Sequence, residues 1–211
     1  MRWVFGGLGI NLNKAGILGI FLEMIHPQVH TEIHKNNLDK KALKSELQTA
    51  DLIIFTIGNS DGQLEFNRIL SELHCKIPVF FVWLEAGGKY SHILTVNYEK
   101  QGCFECLFTN TDGQLVNNRA MLNTEEQVES SLLRNGCGGT RAAYGTSVLL
   151  RTVAVLLNIM QKFFSGEIKN NTLIDILPDK VSYPAHIIPM EKCNCCGNRK
   201  KLQMCETETS K

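Results

Sequence analysis

The chain has 211 residues, 44% of them hydrophobic and 20% charged. That is enough apolar content to bury one sizeable core, or a core with a small satellite module, and it excludes a disordered tail. Lys and Arg total 22 against 21 Asp and Glu, a formal charge of +1, so bulk electrostatics calls for neither nucleic acid nor an acidic membrane surface, and partners must be argued from particular sites.

Residues 12–25 come first, with Ile17, Ile20, Phe21, Met24 and Ile25 at helical spacing and Pro27 closing the run; they read as an amphipathic helix. From Gln28 to His34, Val29 and Ile33 alternate with polar neighbours as in a strand, and Lys40 to Gln48 makes a short helix. Asp51-Leu-Ile-Ile-Phe-Thr-Ile57 is a dense β-branched and aromatic run, the pattern of a strand buried on both faces. It ends at Gly58-Asn59-Ser60, and a helix follows through Leu64, Phe66, Ile69, Leu70 and Leu73. Pro78 to Leu84 is a second buried strand, and His92 to Asn97 a third after the Gly87-Gly88 turn. Strands alternating with helices predict an α/β chain with a Rossmann-like, mainly parallel sheet.

From Thr109 to Gly139 the composition turns polar and periodicity fades, which predicts a long mobile loop or a partly helical excursion. Thr140 to Phe164 is the longest predicted helix. Its apolar part, Val148 to Phe164, contains Arg151, Asn158, Gln161 and Lys162 and reads as a core helix rather than a membrane span. Leu173 to Leu177 and Val181 to Ile188 form a hairpin around Pro178-Asp179, and a basic, cysteine-bearing tail follows over 189–211. Met1 to Gly7 has one basic residue and no apolar run leading to a cleavage site, so no secretory signal is read and a cytoplasmic protein is expected.

Eight cysteines in a chain of that kind point to metal binding or catalysis rather than to a disulfide framework. Cys103-Phe-Glu-Cys106 and Cys193-Asn-Cys195-Cys196 supply two CxxC turns. Each CxxC turn aims two sulfurs at one point, and two turns complete the tetrahedral thiolate shell of a structural zinc, closed to water. A redox-active CxxC and a set of buried, unpartnered thiols are the alternatives, and Cys195 competes with Cys196 for the fourth position. Gly102 and Gly197 supply the tight turns beside the sulfurs. Cys137, in Asn135-Gly-Cys-Gly-Gly-Thr140, is flanked by glycines ahead of the long helix, whose N-terminus would favour a nucleophilic thiolate. A chance cysteine in a glycine-rich cap is the alternative there.

Arg2 with Lys14 in Gly9-Ile-Asn-Leu-Asn-Lys14-Ala, the Asp51 to Asn59 run, Gly102-Cys-Phe-Glu-Cys-Leu-Phe108 and the final Cys-x-x-Cys-Gly together resemble the ThiF/MoeB superfamily of ubiquitin-activating-type adenylyltransferases. The resemblance covers nearly the whole chain, and Gly136-Cys-Gly-Gly139 with Tyr144-Gly145 looks closest to the bacterial branch found in antiviral defence operons. It implies reaction of ATP with the C-terminal carboxylate of a ubiquitin-like protein, or another protein C-terminus, to give an acyl-adenylate and pyrophosphate, then transfer of the acyl group to a cysteine as a thioester. By that resemblance Arg2 and Lys14 contact ATP phosphates, Cys137 is the acceptor thiol, and Cys103, Cys106, Cys193 and Cys196 hold zinc. The implied partners include a ubiquitin-conjugating-like protein and a second subunit, in a homodimer or a split enzyme.

The sequence departs from the family in two places. A strand, a GxGxxG-type turn, a helix and a strand ending in an acidic residue open the family's domain, whereas Gly6-Gly7-Leu-Gly9 precede Lys14 without a buried strand before them and are not read as a phosphate loop. The chain is therefore expected to be one N-terminally truncated domain with an aggregation-prone sheet edge. Secondly, Gly58 stands where relatives place a magnesium-binding aspartate, with Asp61 as the substitute. The competing functions are a non-catalytic, zinc-stabilised protein-binding remnant or split subunit and, with less in its favour, a dinucleotide oxidoreductase that lacks its dinucleotide turn.

Overall fold

The computed structural model describes residues 13–34, 40–116, 118–134, 140–142, 145–186 and 189–197. Arg2, Cys137 and the early glycines lie outside the described residues. The chain divides into two units, Met1–Gln48 and Thr49–Lys211.

In the first unit, α1 (Lys14–Ile25) starts at Asn13, whose side chain accepts the Gly16 N–H at 3.0 Å, a conventional cap for orphan donors. α2 (Lys40–Glu46) is the short helix expected after it. The strand predicted over Gln28 to His34 does not form. The Thr31 N–H and hydroxyl both donate to the Glu23 carboxylate at 2.7 Å, so side-chain bonds to α1 replace a β-ladder. A Cβ on Gly19 would lie 2.6 Å from Ile33 Cδ1, which shows how closely this segment lies against the helix.

The second unit is built on a sheet in the order β1 (Ile53–Phe55), β2 (Val79–Leu84), β3 (Ser91–Val96), β6 (Thr172–Ile176), β7 (Val181–His186). α3 (Ser60–Glu72) joins β1 to β2, and these two strands are parallel. The remaining pairings, β2 with β3, β3 with β6 and β6 with β7, are antiparallel, so the expectation of a mainly parallel sheet is corrected to a mixed one. Connection length explains two of these pairings: parallel neighbours need a crossover of a dozen or more residues, whereas the β2–β3 and β6–β7 turns are tight hairpins. Gly87 and Gly88, at φ 81° and 64°, make the first turn, and Leu177 N–H donating to the Lys180 carbonyl closes the second. β1 is an edge strand with Ile54 41% exposed, not the fully buried strand its composition suggests.

Alternation along β2 divides the core. Phe80 and Val82 join Ile93, Ile174 and Ile176 beneath Leu156 and Ile159 of α5 (Thr146–Phe164). Phe81 stacks on Phe104 with ring centroids 4.9 Å apart, and Trp83 meets the same ring edge-on. α5 is a core helix on one face only, since Leu150 and Leu157 on its other side are 63% and 57% exposed. By length and composition alone it would also suffice to cross a membrane.

The polar excursion contains α4 (Glu125–Ser131), started by a Thr124/Gln127 capping box, and then β4 (Leu132–Arg134) paired with β5 (Thr140–Ala142). The helix predicted from Thr140 therefore begins at Thr146.

Candidate metal centre and strand-end cavity

Two chain segments far apart in sequence bring four thiols together. Cys103 caps and Cys106 lies within a 3-10 turn, Phe104–Leu107, that follows Gly102 at φ 89°. Asn171 receives the Asn97 N–H at 2.8 Å and donates to the Asn97 and Gln101 carbonyls, which fixes the approach to that turn. The second turn closes through Cys193 N–H to the Met190 carbonyl and Gly197 N–H to the Cys193 carbonyl, both at 2.9 Å.

The Sγ atoms of Cys103, Cys106, Cys193 and Cys196 lie within 4.8 Å of one another, all buried. Cys103 is 4.0 Å from Cys106 and 3.7 Å from Cys193, and Cys106 is 3.2 Å from Cys196. A zinc bonded to sulfur at about 2.3 Å in a tetrahedron separates its sulfurs by about 3.8 Å, so the donor set fits that ion. Facing thiols, Cys103 first, take the Cys106 thiol far below its ordinary range, and Cys103 also lowers Cys193 to about 7. Cys103 itself is pushed far up, by Cys106 first among its neighbours. Thiols this close share protons because four adjacent thiolates need a cation between them. Zinc bound here would be a four-coordinate structural ion with no site for a water.

Cys195 faces elsewhere. Its sulfur lies 3.2 Å from Asn67 Nδ2 and 3.4 Å from Glu105 Oε2, and its carbonyl accepts the Ser71 hydroxyl at 2.9 Å. Cys196 completes the four-thiol group. Glu105, fully buried between the first pair of cysteines, accepts Arg68 Nε at 2.6 Å. Asn67 of α3 accepts the Tyr98 hydroxyl at 3.0 Å and the Phe104 N–H at 3.2 Å. These partners anchor α3 to both turns and hold the sulfurs in register. Sequence reading passed over them, although Gln63 and Asn67 are polar residues at core positions of α3, and Glu105 is a carboxylate inside a CxxC.

A cavity of about 170 Å³ opens at the carboxyl ends of the parallel strands β1 and β2, where open α/β sheets place their ligands. Gly58, Ser60 and Gln63 line it from the β1–α3 side, with Trp83, Phe104 and Met121 opposite. Glu85, also in the wall, belongs to a buried ionic group. His92 Nε2 lies 2.6 Å from Glu85 Oε1 and Nδ1 lies 2.7 Å from Asp175 Oδ1. Glu85 also accepts the Leu122 and Asn123 N–H groups at 2.7 and 2.8 Å. Burial pulls the His92 pKa down, but its hydrogen bonds to Asp175 and Glu85 outweigh that and raise it.

Of the other residues singled out in the sequence, Lys14 is exposed in the first turn of α1. Asp61 is exposed in the first turn of α3, its N–H bound to the Asn59 side chain at 2.8 Å, and it does not line the cavity. Arg2 and Cys137 lie outside the described residues. The structure thus gathers the four cysteines and leaves Asp61 apart from the cavity.

No family model and no curated protein matches the sequence. Solved structures do. E. coli MccB aligns with 90% of this chain and 51% of its own at a TM-score of 0.59 and 16% identity. MccB with ATP aligns with 89% of this chain and 51% of its own at 0.57 and 14% identity, and MccB with MccA-N7isoASN with 89% and 53% at 0.56 and 14% identity. This chain shares the fold of MccB. It spans about half the length of the MccB chains it matches.

Proposed function

We propose that the chain forms the core of an adenylyltransferase of the ThiF/MoeB type, which transfers AMP from ATP to the C-terminal carboxylate of a peptide, a ubiquitin-like protein or another protein, with release of pyrophosphate. The observation that carries the reading is the fold shared with MccB, an adenylyltransferase of that type, over nine-tenths of this chain. The four-thiol cluster supports it as a site for the structural zinc that the resemblance implies. In this reading Lys14 and Arg2 would offset phosphate charge, Asp61 would hold a magnesium ion that would neutralise further phosphate charge, and Cys137 would take the acyl group from the adenylate with release of AMP. A second subunit, in a homodimer or split enzyme, supplies the remaining nucleotide contacts, and the site of action is the cytoplasm. The antiviral-operon branch, a ubiquitin-conjugating-like partner and the single-domain organisation belong to the same proposal.

One observation favours a second reading, a non-catalytic protein-binding module: no Lys, Arg or His lines the strand-end cavity among the described residues. Titrating ATP with magnesium into the purified chain, and repeating it with Lys14→Ala, separates the two. Saturable heat that the substitution abolishes supports adenylation. No heat with the intact chain overturns adenylation by this chain alone and favours the binding module.

A further inference from the structure

The strand-end cavity is walled in part by the metal centre's own turn. Phe104 stands between Cys103 and Cys106 in the chain, is buried and lines the cavity. Its ring meets Trp83, which lines the same cavity, edge-on at 5.5 Å.

The other walls are tied to that turn. Asn118, Ala120 and Met121 line the cavity. Arg119 among them donates its backbone N–H to the Leu107 carbonyl at 3.0 Å and its guanidinium to the Cys106 carbonyl, and the Ala120 carbonyl accepts the Trp83 indole N–H at 2.9 Å. Ser60 and Gln63 line it from α3, whose Asn67 has Nδ2 3.7 Å from Cys103 Sγ and accepts the Phe104 N–H through Oδ1. Past Met121 the anchors belong to the sheet instead: Leu122 and Asn123 donate their N–H groups to Glu85.

Cys103 and Cys106 both belong to the four-thiol set, and a zinc–sulfur bond holds its sulfur to about 0.2 Å. An ion there therefore fixes the Cys106 carbonyl that Arg119 grips and the turn that carries Phe104. We propose that the metal centre is a positioning element for the strand-end cavity, coupled to it through Phe104 and Arg119, so that metal occupancy governs ligand binding there. A cavity ligand and the ion then tighten each other by the same factor. The inference goes beyond the adenylation reading and holds for whatever the cavity binds. Its test needs neither ATP nor turnover, so either can fail without the other.

The test follows the Trp83 indole N–H by ¹⁵N NMR in the full chain, assigned with Trp3→Phe, as zinc is removed by a chelator and then returned. Without zinc the indole signal shifts and its hydrogen exchange quickens about tenfold, the worth of one hydrogen bond; both recover when zinc returns. The Asn123 amide and the Ile93 and Ile174 amides of the buried ladder keep their protection. Arg119→Ala retains all four thiols but loses one of two bonds to the turn, so its response to zinc falls to roughly threefold. An unchanged Trp83 signal on zinc removal, or an equal response in Arg119→Ala, overturns the proposal. Should the ladder itself open without zinc, cadmium, a larger thiophilic ion, takes zinc's place in the folded chain: a shift of the Trp83 indole supports the coupling, and its absence overturns it.

Discussion

Gly197 is where the metal centre has least room. A Cβ there would lie 2.1 Å from the Glu191 carbonyl oxygen and 2.7 Å from that of Cys193. Both atoms are backbone, so no side-chain rotation relieves the clash, and in Gly197→Ala the 191–193 segment must move by about an ångström. That segment carries Cys193, and a zinc–sulfur bond tolerates only about 0.2 Å of error. Overpacking of this kind costs about 1–3 kcal/mol, which corresponds to roughly five- to 150-fold weaker zinc binding. Competition against a chromogenic zinc chelator measures the loss. Gly58→Ala is the control, since nothing lies within 4 Å of the Cβ it would add, and its zinc affinity stays at the parent value. Unchanged zinc affinity and thermal midpoint in Gly197→Ala would refute the argument that this close approach shapes the centre.

His92→Gln removes a buried imidazole hydrogen-bonded to two carboxylates, and breaking such a group when it is charged costs about 3–5 kcal/mol. Because the folded pKa of His92 is raised, its contribution is fully present below the unfolded value of about 6.5 and disappears as pH rises through the folded value. Above about pH 6.5 the urea midpoint should therefore fall more steeply with pH in the parent than in His92→Gln; parallel curves over that range would contradict the ion group. Alkylation with iodoacetamide followed by peptide mass mapping should label half-buried Cys195 ahead of Cys103, Cys106, Cys193 and Cys196 when zinc is present. Cys75, whose pKa burial raises, should stay unlabelled in the folded chain at neutral pH. Labelling of Cys106 before Cys195 would count against both burial and metal protection.

The cysteine cluster was legible because its geometry is local: a CxxC turn points its own sulfurs, and one long-range approach completes the set. The helices α3 and α5 and the β6–β7 hairpin could also be read, from apolar period and turn residues near the sequence. Strand direction could not. A run such as Phe80 to Val82 looks the same whether its neighbour is parallel or antiparallel, and only the short connection through Gly87-Gly88 reveals the hairpin. Val29 and Ile33 alternate as in a strand, but the Glu23 carboxylate binds Thr31 and, among the described residues, no neighbouring strand pairs there. Glu85, His92 and Asp175 come from the end of β2, from β3 and from β6, so no window of sequence contains their ionic group.

The central structural claim is that the two CxxC turns form one zinc centre with Cys196, not Cys195, as the fourth ligand. Elemental analysis of the purified chain alongside Cys195→Ser and Cys196→Ser tests it most directly. The account predicts one zinc per chain in the parent and in Cys195→Ser, and a marked loss in Cys196→Ser. A parent chain that is folded yet metal-free, or a loss confined to Cys195→Ser, would contradict it.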